Sequence, residues 1–396
     1  MPNLSSILVL AGCLLCLPVA VFCCEVAAGL LRPRRRAPLT AAPTIRPRIA
    51  VIVPAHDEER QLAATLRNIR RQLRPGDRLV VVADNCSDRT AEVAAAERAE
   101  VVVRDDPAAR GKGYALHAGV CHVAGDAPAV VVFVDADCRL GHGALDELAG
   151  TASATGRPAQ GCYLILAPPG AGHGLPVAEF AQIVKNRIRP AGLHALGLPC
   201  QLTGSGMAFP WPLIAAAELA SGEIVEDLKL GLDCAMAGHP PVYCADARIL
   251  SEFPVSRRGA AVQRQRWQQG HLHLIAGSIR PLLTGLARCD AGLVALVLDL
   301  MVPPLTLLLL ANVVLALLGA AAALSGGSAL ALAIPAVSLV GLLGAIFAAW
   351  AAVHGALPPL GIASLLSYVA GNLALYPRLL SGQPRRWIRT ERGDRP

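Results

Sequence analysis

Ala129-Val130-Val131-Val132-Phe133-Val134-Asp135-Ala136-Asp137 is the stretch from which the fold is read. Six apolar, mostly β-branched residues with no polar alternation describe a strand buried on both faces, and this one ends in two carboxylates one residue apart. Three earlier runs have the same make-up: Ile49-Ala-Val-Ile-Val53, Arg78-Leu-Val-Val-Val-Ala83 and Glu100-Val-Val-Val103. Polar groups follow the first two, as His56-Asp57-Glu58 and Asp84-Asn85. Helical patterns lie between them. Leu62, Leu66, Ile69 and Leu73 form one stripe over 59–73, and 88–99 is Ala-rich behind a cap at Ser87 or Asp88. Alternating strand and helix implies right-handed crossovers and an α/β fold with an open, mostly parallel sheet. Ligands of such sheets sit at the carboxyl ends of the strands, so the polar residues just named become the candidates.

Each candidate has a chemical reading and a plainer one. Asp135 and Asp137 can hold Mg2+ or Mn2+ with substrate phosphate oxygens completing the shell, although Asp is also a turn residue. Gly111-Lys112-Gly113 opens a helix, where backbone N–H groups favour an anion. Lys112 is one of three lysines, with Lys185 and Lys229, among 36 basic residues, which suits a point charge facing phosphate as well as a solvated turn. The glycines of Thr203-Gly204-Ser205-Gly206 let backbone approach a ligand, or simply make a tight turn. Glu226-Asp227 starts a helical segment, where acids cap, or where a carboxylate can take a proton from a hydroxyl. Gln263, Arg266 and Trp267 stand at i, i+3 and i+4 and offer an amide, a guanidinium and an aromatic plate on one helix face. An interfacial amphipathic helix uses Trp and Arg in a similar way.

Outside this middle region the chain is of another kind. It is 54% hydrophobic and 16% charged, against about 25% charged in soluble domains, so part of it suits lipid. Apolar stretches at 7–24, 293–322 and 329–353 are candidate spans, and 356–376, with Pro358, Pro359 and Asn372, is a weaker one. No positive charge precedes the first, while Arg32, Arg34, Arg35 and Arg36 follow it, which reads as an uncleaved anchor with the middle domain cytoplasmic. Six arginines lie between Arg378 and Arg395, so the +7 balance is a topology signal rather than a footprint for nucleic acid. That basic tail favours a cytoplasmic end, which two full spans after the domain satisfy and three do not. The expected organisation is an anchor and basic flank at 1–36, a cytoplasmic domain at 37–270, an interfacial helix at 271–290, an apolar region at 291–377 and a basic tail at 378–396.

In this order the motifs resemble the family-2 glycosyltransferases, in the membrane-integrated branch of the cellulose, hyaluronan and poly-N-acetylglucosamine synthases. The resemblance covers 49–275 and rests on Val53 to Glu59, Asp84 to Asp88, Gly111 to Gly113, Asp135 to Asp137, Thr203 to Gly206, Glu226-Asp227 and Gln263 to Trp267. It implies a glycosyltransferase A-type domain flanked by transmembrane helices in the cell inner membrane, a nucleotide-sugar donor (UDP-sugar first), Mg2+ or Mn2+, inversion, and a glycan or lipid acceptor. By the same resemblance Pro54, Asp57, Glu58 and Asp84 meet base and ribose, Lys112 the diphosphate, Asp135 the sugar-nucleotide and the metal, and Asp137 the metal. Gly204, Ser205, Gly206 and Glu226 border the acceptor, Asp227 is the base, and Gln263, Arg266 and Trp267 hold diphosphate and acceptor. His56-Asp57 stands where the family commonly has Tyr-Asn, and Val225 where a Thr often precedes the acids. The implied product is an exopolysaccharide or envelope glycan. A glycolipid made by single addition, a sugar nucleotidyltransferase and a non-enzymatic membrane protein are the competing readings.

Overall fold

The computed structural model describes residues 4–31, 46–168, 174–254, 256–357 and 361–373. Contacts divide the described residues into two units, one made of 46–168 and 199–270 and the other of 4–31, 174–198 and 271–373.

In the first unit the four runs read from sequence form strands β1 (Ile49–Ala55), β2 (Arg78–Asp84), β3 (Glu100–Arg104) and β4 (Val130–Phe133), all parallel. They are followed by β5 (Arg139–Leu140), β6 (Ala159–Leu166), β7 (Met207–Pro210) and β8 (Val242–Glu252). The eight join in the order β3-β2-β1-β4-β7-β6-β8-β5, with β7 antiparallel to both β4 and β6, and β8 parallel to β6. Ile49 to Val53 and Val130 to Phe133 are buried on both faces, which is why neither run alternates. On one face Ile52, Val82, Val131 and Phe133 share a core with Leu116 and Val120 of the helix Lys112–Val123. That helix lies close to the sheet because residue 119 is glycine: a Cβ there would stand 2.5 Å from Ile52 Cγ2.

The expected helices are shorter than their patterns. Over 59–73 the helix is Leu62–Arg70, because Gln61 and Leu62 both donate to Glu58 O and close a turn first. Over 88–99 it is Thr90–Ala96, and the residue in the cap position is Arg89 rather than Ser87 or Asp88, although Asp88 Oδ1 accepts from Thr90 N at 2.9 Å.

Among the described residues, the second unit contains three helices long and apolar enough to cross a membrane, Leu4–Leu31, Leu305–Leu324 and Leu330–Val353. The stretch 293–322 is not one span but two helices, Ala291–Leu300 and Leu305–Leu324. Pro303 and Pro304 lack the N–H that would continue the first helix, and each disfavours helical backbone in the residue before it. Over 356–376 the described helix is the twelve-residue Ile362–Leu373. Over 271–290, the helix Arg257–Gly277 runs on before Ile279–Ala287 begins. The arginines at 32–36 and the tail after 373 lie outside the described residues.

Residues 174–198 also belong to this unit and carry helices Leu175–Ile183 and Arg189–Ala195 around a π-helical turn, Val184–Ile188. It meets Leu4–Leu31 at two glycines, since a Cβ on Gly29 would strike Ile188 O and one on Gly192 would strike Glu25 O. Buried Arg189 ties three helices together: Nε donates to Glu25 Oε2 at 2.6 Å and Nη2 to Asp299 Oδ1 at 2.5 Å. None of the twelve cysteines forms a disulfide.

Candidate active site

The carboxyl end of β4 delivers Asp135 and Asp137, and pairing between strands brings the second motif beside them. Because β7 runs antiparallel to β4 with Met207 opposite Phe133, the turn Thr203–Gly206 that precedes β7 lies against the turn that follows β4. Gly206 N donates to Phe133 O at 2.9 Å. Ser205, fully buried, accepts from Asp135 N at 3.0 Å and donates to Cys138 Sγ at 3.2 Å. Its hydroxyl therefore fixes the acidic turn. Gly204 and Gly206 have φ of +91° and +66°, a region that glycine enters without steric cost.

A residue the sequence reading overlooked frames this turn from below. Gln160 on β6, 2% exposed, accepts from Thr203 N at 2.8 Å and donates to Ser205 O at 3.0 Å and Gly161 O at 2.8 Å. A glutamine inside an otherwise apolar strand was the available signal.

Lys112, at the first turn of its helix, reaches across to this corner. Its Nζ lies 2.5 Å from Asp135 Oδ1, 2.6 Å from Gly204 O and 3.8 Å from Glu226 Oε1. Burial alone would lower the ammonium pKa, but Asp135 and Glu226 outweigh it and hold the group charged. Glu226 and Asp227 open the helix Glu226–Met236, and a Cβ on Gly204 would stand 3.2 Å from Asp227 Oδ2. Burial first, then repulsion from Asp227, pushes the Glu226 carboxyl up to about 7 against the pull of Lys112. Asp135, Lys112, Gly204, Glu226 and Asp227 are thus brought together at one corner.

Asp135, Asp137 and Cys138 can each offer one ligand atom such that all three atoms lie within 4.8 Å of one another. Two carboxylates that close fit a hard divalent ion, and the residues present therefore suit Mg2+ or Mn2+. The Cys138 thiol is buried and pushed up well above its ordinary pKa by burial and then by the two aspartates, so it stays protonated unless a metal displaces the proton.

The loops after β1 and β2 form a second cluster. His56 Nδ1 is 2.7 Å from Asp84 O, and since a carbonyl only accepts, Nδ1 carries the proton. Asp57 accepts from Ser87 N at 2.6 Å and Ser87 Oγ at 3.1 Å. Asp57 and Asn85 both have positive φ, 53° and 51°, and this network holds them there. Asp84, 7% exposed, is paired with Arg104 at 2.6 Å, and Arg104 stands 5.3 Å over the Tyr114 ring. Pro54 is in β1, and Glu58 N donates to Thr90 Oγ1 at 2.8 Å.

Gln263, Arg266 and Trp267 lie on the helix Arg257–Gly277, each half-buried. They share a stripe with Gly270, which is three, four and seven residues on from them. A Cβ on Gly270 would come within 2.7 and 2.8 Å of Val225 Cγ1 and Cγ2. That contact brings the stripe against the residue immediately before Glu226.

Residues 47–270, more than half the chain, match the family described as glycosyltransferase like family 2. The chain is 41% identical over 100 residues to the uncharacterized glycosyltransferase Rv0539 of Mycobacterium tuberculosis, covering 25% of this chain and 41% of that protein. It is 35% identical over 99 residues to the probable glycosyltransferase YdaM of Bacillus subtilis, covering 23% of each. These matches span less than half of either relative's length. Among solved structures, the mannosyltransferase PcManGT of Pyrobaculum calidifontis, in complex with GDP-Man and Mn2+, aligns over 95% of this chain and 100% of its own with a TM-score of 0.58 and 19% identity. Glucosyl-3-phosphoglycerate synthase of Mycobacterium tuberculosis, solved with Mn2+ and UDP, aligns over 56% of this chain and 80% of its own at a TM-score of 0.36 and 19% identity. At such identity the likeness to PcManGT is one of fold, and the fold is the glycosyltransferase A-like α/β sheet.

Proposed function

The chain belongs to the glycosyltransferase-like family 2, and from that premise we propose that it moves a sugar, with inversion, from a nucleotide-diphosphate sugar to a hydroxyl of a glycan or lipid-linked acceptor. The observation that carries the reading is the convergence of Asp135, Lys112, Glu226 and Asp227 on Gly204. Asp135 and Asp137 would hold Mg2+ or Mn2+, which when bound offsets charge on the departing diphosphate.

Asp227 takes the proton of the attacking hydroxyl, since it lies at the open glycine turn while Glu226 is turned toward Lys112. Gly204 and Gly206 border the acceptor, Gly204 beside Asp227 and Lys112 and Gly206 packed against Ile249, and Ser205 holds the acidic turn in place from beneath. Lys112 and Arg266 supply positive charge to the diphosphate, with Gln263 and Trp267 orienting donor and acceptor. Pro54, Asp57, Glu58 and Asp84 line the end of the sheet suited to base and ribose. A one-step displacement needs no covalent enzyme intermediate.

The three apolar helices support a place in the cell inner membrane, with the catalytic domain cytoplasmic and the acceptor at the bilayer, in the synthesis of an exopolysaccharide or envelope glycan. Ile279, Leu283 and Leu286, each more than half exposed, form a stripe on the helix Ile279–Ala287 that suits the bilayer interface. Detergent-solubilised protein should be screened for binding of nucleotide sugars, UDP-sugars first and GDP-mannose beside them, and the radiolabelled hit used with a membrane extract. A ladder of products supports chain elongation and one defined glycolipid supports single addition. Failure of every nucleotide sugar to bind or turn over with Mn2+ would sink the reading.

A further inference from the structure

Lys112 is the residue whose surroundings ask for more than a static role. Its ammonium has three N–H donors, and three acceptors face it: Asp135 Oδ1 at 2.5 Å, Gly204 O at 2.6 Å and Glu226 Oε1 at 3.8 Å. Its side chain is 23% exposed, so little water competes for it. Asp135 is thereby claimed twice, once by this ammonium and once, with Asp137, as a ligand for a divalent ion. An ion on Asp135 would bring two further positive charges onto the carboxylate that Lys112 already neutralises. Like charges at such separation repel strongly where solvent is partly excluded. The side chain can yield, because four methylenes carry a point charge that needs no planar partner.

We propose that Lys112 is a counter-ion that changes partners: it neutralises Asp135 until a divalent ion takes that carboxylate, and is then released toward the diphosphate of the donor. The proposal rests on reading Asp135 and Asp137 as the ion's ligands, and it deepens that reading by coupling two binding events. Ion binding makes a cation available to the anionic donor, and by thermodynamic reciprocity the donor makes the ion bind more tightly. It also accounts for lysine at 112 in a chain that uses arginine almost everywhere else.

Two measurements on the full-length protein in detergent test this. Binding of Mn2+ alone is followed from the electron paramagnetic resonance signal of unbound Mn2+. Lys112→Gln should bind Mn2+ about tenfold more tightly than the unaltered protein, Lys112→Arg should stay close to it, and Asp137→Asn should lose the site. Equal or weaker binding by Lys112→Gln overturns the exchange while leaving the ion site standing. Absence of any Asp137-dependent Mn2+ binding overturns both. The second measurement needs no folded variant at the outset: reductive 13C-methylation labels Lys112, Lys185 and Lys229, few enough to resolve, with Lys112→Arg assigning the signal. Addition of diamagnetic Mg2+ should shift the Lys112 methyl resonance and leave the other two in place. A Lys112 resonance indifferent to Mg2+ refutes the exchange.

Discussion

Gly270→Ala tests whether the helix carrying Gln263, Arg266 and Trp267 is held where it works by contact with Val225. The new methyl carbon would lie 2.7 Å from Val225 Cγ1, 2.8 Å from Cγ2 and 3.3 Å from Cβ. No rotation of a valine removes both γ carbons, so the backbones must separate. Carbon atoms settle at about 3.5–4.0 Å, and the helix must therefore retreat by about 1 Å. Overpacking of this kind costs about 1–3 kcal/mol of stability. A displacement of about 1 Å in residues that orient reactants can lower turnover by about 100-fold. Val225→Ala removes both clashing carbons, so the double variant should recover most of the lost rate and melting temperature. The four proteins form a double-mutant cycle, with a coupling of about 1–3 kcal/mol expected between the two sites. Transfer is measured with the donor identified by the binding screen, and stability by thermal unfolding in the same detergent. A Gly270→Ala protein with unaltered turnover, or a double variant no better than Gly270→Ala, refutes the reasoning.

Three further outcomes are expected. Asp227→Asn should abolish transfer while leaving donor affinity measurable by calorimetry, because it removes the proton acceptor and no proposed donor contact. Ser205→Ala should weaken Mn2+ binding without touching the ion, since the Asp135 N–H and the Cys138 thiol both lose their buried partner; a loss of about 1–3 kcal/mol in stability should accompany it. The third concerns pH. Glu226 in the folded protein titrates near 7 against an ordinary value of 4.5, so the native state holds the proton over that window and the unfolded state does not. Its contribution to stability is present below about 4.5 and is lost as pH rises to about 7. Glu226→Gln should flatten the dependence of melting temperature on pH across that window, and an unaltered slope would show that Glu226 is not the group responsible.

Much of the fold was legible because parallel strands buried on both faces leave a distinctive mark, uninterrupted runs such as Val130 to Val134 with acids directly after them. Most motif residues could be named in order for the same reason, lying at or beside a strand or helix end, while Gln263, Arg266 and Trp267, inside the helix Arg257–Gly277, were found by their spacing. Their mutual arrangement could not be read. Nothing local to Lys112 says that it meets Asp135 and Glu226, since that depends on β7 entering the sheet antiparallel beside β4. Gln160 and Cys138 are not singled out by any local pattern that names their partners, which are 43 and 67 positions away. The break between Leu300 and Leu305 was written in Pro303-Pro304 and was overridden in the reading by the hydropathy around it. Nothing marked 172–198 as part of the helical unit, because the bond from Arg189 to Glu25 spans 164 residues.

That long-range pairing has a consequence for the order in which the chain is made. Glu25 leaves the ribosome first, on the apolar helix Leu4–Leu31, and its partner Arg189 follows only after more than 160 further residues. Asp299 arrives last, after another 110. Until Arg189 is made, the first helix carries an acid with no guanidinium to meet it, and from then until Asp299 is made the guanidinium has one of its two carboxylates; all three groups are buried, where an unmatched charge is costly. Final docking of the helical unit must therefore wait for the third partner. A shortened chain that starts after Leu31 would strand Arg189 with one carboxylate instead of two, so removing the first apolar helix to gain solubility should destabilise a helix pair far along the sequence.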